Sequence, residues 1–299
     1  MNLLTNIEGL LGPADSAVRL KHNEDLLTSL LIMAWMVEAR DPYTGGHLWR
    51  VSQLSRMVAT RLNLSEAEIS RISVGGFLHD LGKISIPDKI LGKKDKLTDQ
   101  EYEVIKTHPD VGWRMLESHP LAKLAEAAVR AHHETPDGKG YPRGLSSSEI
   151  AIDAKIVGVC DAFDAMTSTR PYRRGMPIAK ALSIIAENLG RQFDAGPGQV
   201  LIELGKEGLL DHIVGHSDEG IPLQECLACG PTVVLHRGHQ EGTQVFCPSC
   251  AGGYTTSRSG GNWQLIPTNA VAAPKNLEPV VDADVIADVV RASARSLLV

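Results

Sequence analysis

Seven side chains able to hold a metal, His47, His79, Asp80, His108, His132, His133 and Asp161, are spread through one long stretch whose apolar residues recur with helical period. A chain that carries so many hard and borderline ligands in one apolar domain is expected to fold around metal. Adjacent His-Asp ligands with a carboxylate to share point to two ions, and two ions point to hydrolysis of a phosphate ester. Taken singly, each residue has an ordinary explanation. A lone His47 is most often core or surface, His79-Asp80 before Gly82 could cap a helix, and His132-His133 could be a solvated helix end favoured by the macrodipole. Cys160 beside Asp161 reads most simply as a small buried residue. It is the combination that carries weight.

From about Glu24 to Arg40 the apolar residues keep helical spacing. Ser65-Glu66-Ala67-Glu68 reads as a capping box opening a helix with Ile69, Ile72, Phe77 and Leu81 inward, and Thr98 to Glu101 as a second box whose helix runs to about Lys106. Pro109 then forces a break or a new start. Further helices are expected over 110–118, 121–133, 153–168, 177–189 and 197–206, with no alternating strand pattern between 24 and 206. The fold expected is therefore all-α: a helical domain over 24–215 after a weakly patterned leader at 1–23. After residue 215 Gly, Pro and Cys become frequent and the helical period is lost. A small metal-stapled β module is expected over 222–260, then a linker over 261–281 containing Pro267, Pro274 and Pro279. An amphipathic terminal helix over 282–299 follows, with Val285, Ile286, Val289 and Val290 on one face.

A formal net charge of −6 offers no broad attraction to nucleic acid, so positive charge for an anionic ligand must be local. The longest apolar run, Leu26 to Val37, is too short to span a bilayer, and no signal peptide is visible. A cytoplasmic location is expected, with no membrane partner. In a reducing compartment the two C-x-x-C pairs read as metal ligands rather than disulfides.

The strings HDLGK at 79–83, HHE with DGKGYP at 132–142, and CDAFDAMTSTRPYR at 160–173 resemble the HD-GYP family, a branch of the HD superfamily whose characteristic activity is hydrolysis of cyclic di-GMP. The resemblance covers about residues 24–205 and includes DPYTGGH at 41–47, the Lys-Thr-His-Pro around His108 and the late Phe193-Asp194. It implies an HD-superfamily helical fold. It also implies a first metal on His47, His79, Asp80 and Asp161, with Asp80 bridging to a second metal on His108, His132 and His133. Such ligands suit Fe, Mn, Zn or Co. The pair of ions would polarise the phosphate and activate a bridging water as hydroxide, so that Asp80 and Lys83 are the catalytic candidates.

Lys83, Tyr141, Arg170 and Arg173 are the substrate-binding candidates the resemblance supplies. Lys83 lies one turn past His79, the arginines offer bidentate forks to phosphate or guanine, and Tyr141 can stack on a base or pin its loop. A solvated helix end is the alternative for both arginines. Gly138 and Gly140 are expected to supply positive φ in the Gly-Tyr-Pro turn, and Asp164 to orient a ligand histidine rather than bind metal. Two departures stand out. Some members carry a Glu four residues before the first His that helps to hold a third metal; Tyr43 stands there, which implies a two-metal site and a first cut to linear pGpG rather than efficient passage on to GMP. Thr135-Pro136 replaces a more usual Arg-Trp pair beside the Gly-Tyr-Pro turn, where ligand stacking or partner docking is expected.

Cys226-x-x-Cys229 and Cys247-x-x-Cys250 form a zinc-ribbon signature, and one structural Zn is expected. Strands at Val233–Leu235 and Thr243–Phe246 are expected to pair between the knuckles, with His236 and His239 as solvated loop residues. Arg237 is the one basic residue between Cys226 and Cys250, which argues against a nucleic-acid role. Three functions compete at this level: a cyclic di-GMP phosphodiesterase, an HD-type phosphohydrolase for another cyclic dinucleotide or a nucleotide, and a weakly catalytic receptor. The last would signal to a protein partner through the Gly-Tyr-Pro surface, the ribbon or the terminal helix.

Overall fold

The computed structural model describes residues 13–297, apart from 42–43, 94, 170–172 and 231. Its larger part is helical: α1 Pro13–Glu38, α2 His47–Arg61, α3 Glu66–Leu78, α4 Asp88–Leu91, α5 Asp99–Ile105, α6 His108–Leu116, α7 Glu126–Ala131, α8 Ile152–Thr167, α9 Ile178–Glu187 and α10 Ala195–Lys206. Both capping boxes form as the sequence implies. Ser65 and Glu68 exchange side-chain and backbone bonds at the start of α3, and Thr98 and Glu101 do so at α5. Of the break or new start expected at Pro109, the structure shows the new start: α5 has ended at Ile105, and Pro109 sits in the first turn of α6, where its missing N–H is not needed.

One apolar core runs through these helices. Leu27, Leu31, Leu54, Ile72, Phe77, Val157, Phe163, Ile185 and Leu201 are each fully or almost fully buried in it. The close approach of α2 and α3 depends on Gly76, where a Cβ would lie 3.2 Å from the Ser52 Cα. Packing of α3 against α2, α7 and α8 brings three ligand-bearing segments to one end of the bundle.

The C-terminal part is built from short antiparallel strands: β1 His216–Asp218 with β2 Ile221–Pro222, β3 Gln224–Glu225 with β4 Thr232–Val233, and a sheet of β5 Gln244–Phe246, β6 Gly252–Ser259 and β7 Asn262–Val271. Helix α11, Ala283–Leu297, closes the chain. Among the described residues no helix is long and apolar enough to cross a membrane.

Four expectations need correction. The stretch 1–23 is not all leader, because α1 already begins at Pro13; residues 1–12 lie outside the described ones. Helix α2 joins the expected set: Leu48, Val51, Leu54 and Val58 give it a helical stripe that was legible but not read. The strands at Val233 and Phe246 do not pair with each other. Each C-x-x-C knuckle turns its own flanks together, Gln224 opposite Val233 and Phe246 opposite Gly253. Finally, 262–271 is no linker but the edge strand β7, joined to β6 through Gly260-Gly261, both at positive φ, a two-residue hairpin turn. An edge strand tolerates Pro267, whose composition had suggested a linker.

The terminal helix is also not a free appendage. Val285, Ile286, Val289, Val290 and Ala294 enter the main core, against α1 and α3. The β region therefore lies between two segments of chain that share one interior.

Candidate metal centre

Ligands gather at helix ends. His47 opens α2, His79 and Asp80 follow α3, His108 opens α6, and His132 and His133 follow α7; Asp161 comes from the body of α8. His47, His79, Asp80, His108 and His132 are all buried. Glycines allow the crossings that bring them together. A Cβ on Gly82 would stand 1.9 Å from the His108 carbonyl oxygen, and one on Gly158 2.4 Å from that of His132. Neither crossing admits a side chain.

Two ligand groups result, His47 with His79 and Asp80, and His108 with His132 and His133, the donor atoms of each within 4.8 Å of one another. Asp80 faces both. Its Oδ2 lies 3.6 Å from His47 Nε2 and 3.4 Å from His79 Nε2, while Oδ1 lies 3.4 Å from His108 Nε2. Asp161 Oδ1 adds a second carboxylate to the first group, 3.5 Å from His47 Nε2 and 3.7 Å from His79 Nε2. His108 Nε2 and His132 Nε2 are 3.1 Å apart.

Four of the five imidazoles are oriented from behind. His79 Nδ1 donates to the Gly76 carbonyl at 2.8 Å, His108 Nδ1 to that of Ile105 at 2.7 Å, and His132 Nδ1 to that of Ala128 at 2.8 Å. His47 Nδ1 donates to Asp164 Oδ2 at 2.7 Å, the orienting part expected of Asp164. A carbonyl can only accept, so in His79, His108 and His132 the Nδ1 holds a proton and Nε2 is the nitrogen left facing the centre.

The charges suit a cation. Burial, reinforced by the neighbouring rings, lowers His108 to about 4 and His133 to about 3 and drives His132 well below its ordinary value, so all three are neutral rings able to donate to a metal. Burial also works against charge on His47 and His79, but the carboxylates around them win, raising both, His79 to about 10. Burial would raise Asp80 and Asp161; the cations beside them outweigh it and hold both well below the carboxylate range. His79 Nε2 and Asp80 Oδ1 have no hydrogen-bond partner despite their burial. An unpaired buried polar atom costs roughly 1–3 kcal/mol, and here the two are a donor-set nitrogen and oxygen aimed into one space. The arrangement fits divalent metal.

A cleft of about 510 Å³ opens beside the second group, lined by His132, His133, Tyr141, Asp161, Lys155 and Gln192 among others. Tyr141 stacks on His133 with ring centres 4.6 Å apart, and Lys83 Nζ reaches Asp80 Oδ2 at 2.5 Å. Arg170 and Tyr43 lie outside the described residues. Arg173 is engaged elsewhere: it donates to the carbonyls of Ala165 and Met166, closing the C-terminal end of α8, which is the structural alternative to a phosphate contact. Gly138 has the positive φ expected, but Gly140 does not. Its lack of a side chain serves closeness, since a Cβ would be 2.4 Å from the Thr135 nitrogen.

Four residues of the site were not anticipated. Tyr102 of α5 lines the cleft edge-to-face with Tyr141 at 6.3 Å, and the Lys106 ammonium lies over both rings. Glu134 ties down the Gly-Tyr-Pro loop by accepting the backbone N–H groups of Arg143 and Leu145 at 2.7 and 2.8 Å. Arg50, one turn after His47, grips Asp164. Its spacing from His47 was the only signal in the sequence.

The four cysteines form a second cluster. Sulfur separations of 3.7 Å for Cys226–Cys250, 3.5 Å for Cys226–Cys229 and 3.6 Å for Cys229–Cys247 are far too long for disulfides. They match the edges of a tetrahedron with metal–sulfur bonds of about 2.3 Å, so the cluster is able to hold zinc. His236 is not a solvated loop residue: its Nδ1 donates to Asp282 Oδ2 at 2.8 Å, beside the start of α11.

A family model described as an HD domain matches residues 32–196. The chain is 40% identical over 187 residues to a cyclic di-GMP phosphodiesterase of Thermotoga maritima, covering 62% of this chain and 51% of that protein. It is 42% identical over 164 residues to the cyclic di-GMP phosphodiesterase response regulator RpfG of Xanthomonas campestris, covering 54% and 43%. Over 160 residues it is 39% identical to a 3'3'-cGAMP-specific phosphodiesterase of Vibrio cholerae, covering 53% and 35%. The chain thus spans about half or less of the length of these curated relatives. Among solved structures, Bd1817, an HDG"Y"P protein from Bdellovibrio bacteriovorus, matches with a TM-score of 0.45 at 22% identity, covering 56% of this chain and 53% of that one.

Proposed function

Because the chain belongs to the HD-domain family, we propose that it is a metal-dependent phosphodiesterase that opens cyclic di-GMP to linear pGpG. The observation that carries this is Asp80, whose two oxygens face two separate histidine groups. That geometry supports two divalent ions, of which His47, His79, Asp80 and Asp161 would hold one and Asp80, His108, His132 and His133 the other. Ions held there supply Lewis acidity and lower the pKa of water to give a nucleophile at neutral pH.

The side chains around them have separable tasks. Asp164 and the Gly76, Ile105 and Ala128 carbonyls fix the ring orientations before substrate arrives. Lys83, paired with Asp80 at the edge of the centre, adds positive charge beside a bound phosphate. Tyr141 and Tyr102 give the cleft an aromatic wall on which a purine can stack. Hydrolysis adds the water oxygen to phosphorus and breaks the bond to the 3'-oxygen, which leaves with a proton; the product keeps its 5'-phosphate, as pGpG requires.

A second substrate has a specific observation behind it. One relative of similar identity is named for 3'3'-cGAMP, which differs in a single base. Chromatography of products from cyclic di-GMP and 3'3'-cGAMP, with purified chain loaded with Mn(II) or Fe(II), tests both. Cyclic di-GMP is expected to give pGpG. Turnover of 3'3'-cGAMP alone transfers the activity to that substrate, and intact nucleotides in both assays refute a phosphodiesterase of this class.

A further inference from the structure

Among the described residues Arg50 is the largest fully buried side chain, at 1% exposure. All five of its N–H groups have acceptors. Nε and Nη2 hold the two oxygens of Asp164, at 2.5 and 3.1 Å, and Nη2 also reaches Ser168 Oγ at 3.2 Å. Nη1 donates to the Gly45 carbonyl and to the His216 carbonyl, each at 2.9 Å. Lysine could not reproduce this planar fork. The same Asp164 oxygen that meets Nη2 receives His47 Nδ1.

His216 is not part of the helical bundle. It begins β1, at the entrance to the β region that carries the cysteine cluster. That region presses on the His47 turn at two further points. A Cβ at Gly46 would fall 2.5 Å from the Ser217 Cα, and one at Gly45 would fall 2.4 Å from Val234 Cγ2. Val234 follows β4, whose Val233 is buried with Cys226, Cys247 and Tyr254 in the small core of the module. From the cysteines to His47 there is thus an unbroken series of contacts: knuckle, β4 and β1, the Gly45-Gly46 turn with Arg50, then Asp164.

We infer that Arg50 is a positioning residue through which the cysteine-bearing β region braces His47, so that the grip of the centre on its metal depends on the integrity of that region. It rests on the proposed metal centre and adds a requirement the ligands alone would not reveal. Every Arg50 donor goes to a protein acceptor, so its effect on His47 passes through Asp164 and the Gly45 carbonyl. Contiguity supplies the route, and only a measured coupling establishes that it carries energy.

Mn(II) titration of the full chain, followed by electron paramagnetic resonance, is the test, since it reads the centre without substrate. Wild type is expected to take up Mn(II) at the histidine centre. Arg50→Lys should weaken uptake at the His47 side by about 10- to 100-fold, the range typical when a group orienting a ligand is lost, while circular dichroism shows the fold retained. Ile72→Val, a mild change at a buried core position two turns before His79 on α3, should leave the binding constant alone even if it lowers the melting temperature. Cys229→Ser with Cys250→Ser should weaken Mn(II) in the same direction as Arg50→Lys, and decides the matter if Arg50→Lys does not fold. An unchanged constant in either variant overturns the inference, as does an equal loss in Ile72→Val. Wild type that binds no Mn(II) overturns this and the proposed function together. If it binds Mn(II) but leaves cyclic dinucleotides intact, only the proposed function falls, and the constants for the variants still decide the role of Arg50.

Discussion

Asp80 Oδ1 lies 3.4 Å from His108 Nε2 while its other oxygen faces His47 and His79, so one carboxylate stands between two histidine groups. Removing it should therefore cost both. Asp80→Ala is expected to abolish turnover and most bound metal at the histidine centre, leaving zinc at the cysteines. Elemental analysis beside an activity assay checks this; undiminished activity, or loss of only a weakly held ion, would remove the bridging role.

The two halves of the centre should differ in their protons. His79 is raised to about 10 by its carboxylate neighbours, so below that pH it holds a proton that a metal must displace. His108, lowered to about 4, and His133, lowered to about 3, carry none to give up near neutrality. Mn(II) affinity should rise with pH between 6 and 9, about tenfold per unit for each proton displaced. Calorimetry in buffers of different ionisation enthalpy should count at least one proton released at pH 7. Binding heat independent of buffer would contradict the assignment.

Gly82 tests the crossing of the segment after Asp80 with α6. Its Cβ would meet the His108 carbonyl oxygen at 1.9 Å and the Gly112 nitrogen at 2.5 Å, both rigid backbone atoms. Gly82→Ala should destabilise the chain by about 3 kcal/mol. That corresponds to roughly 10 °C in melting temperature for a domain of this size, with metal lost first at the His108 side. A melting temperature within 2 °C of wild type, a threshold of about 1 kcal/mol, would mean that the crossing yields to a methyl group at little cost.

Tyr102 tests the aromatic wall. Stacking on a base contributes about 1–3 kcal/mol, so Tyr102→Ala should raise KM about tenfold while kcat stays close to wild type. Steady-state kinetics on cyclic di-GMP separates this from a catalytic effect: a fall in kcat at constant KM would place Tyr102 outside the binding surface.

Much of the site was legible because ligands announce themselves as residue types. His79-Asp80 and His132-His133 are adjacent in sequence, and the C-x-x-C pairs fix their own geometry. The parts that were not legible depend on backbone atoms. Nothing about Arg173 in the sequence says that its donors go to the Ala165 and Met166 carbonyls, and nothing about Arg50 says that a carbonyl 166 residues away completes its fork. The fold shows the same division. Capping boxes at Ser65 and Thr98 mark helix starts locally, whereas for α11 the apolar face was legible but not its partners on α1 and α3, which lie hundreds of residues earlier. Pro267 misled for the opposite reason: its local meaning, a linker, gives way to its place at the edge of a sheet.

The return of α11 to the helical core gives the cysteine module an unusual mechanical status. Ile213 before it and Val285 after it are both sealed in the same interior, so the ribbon is tethered at its two feet, like an arch. Removing a metal from its cysteines should not release a separate piece of protein but slacken a long closed loop, whose added entropy grows only slowly with length. A chain trimmed to the borders of the matched HD domain would in turn expose the groove of α1 and α3 that Val285, Ile286 and Val289 now fill.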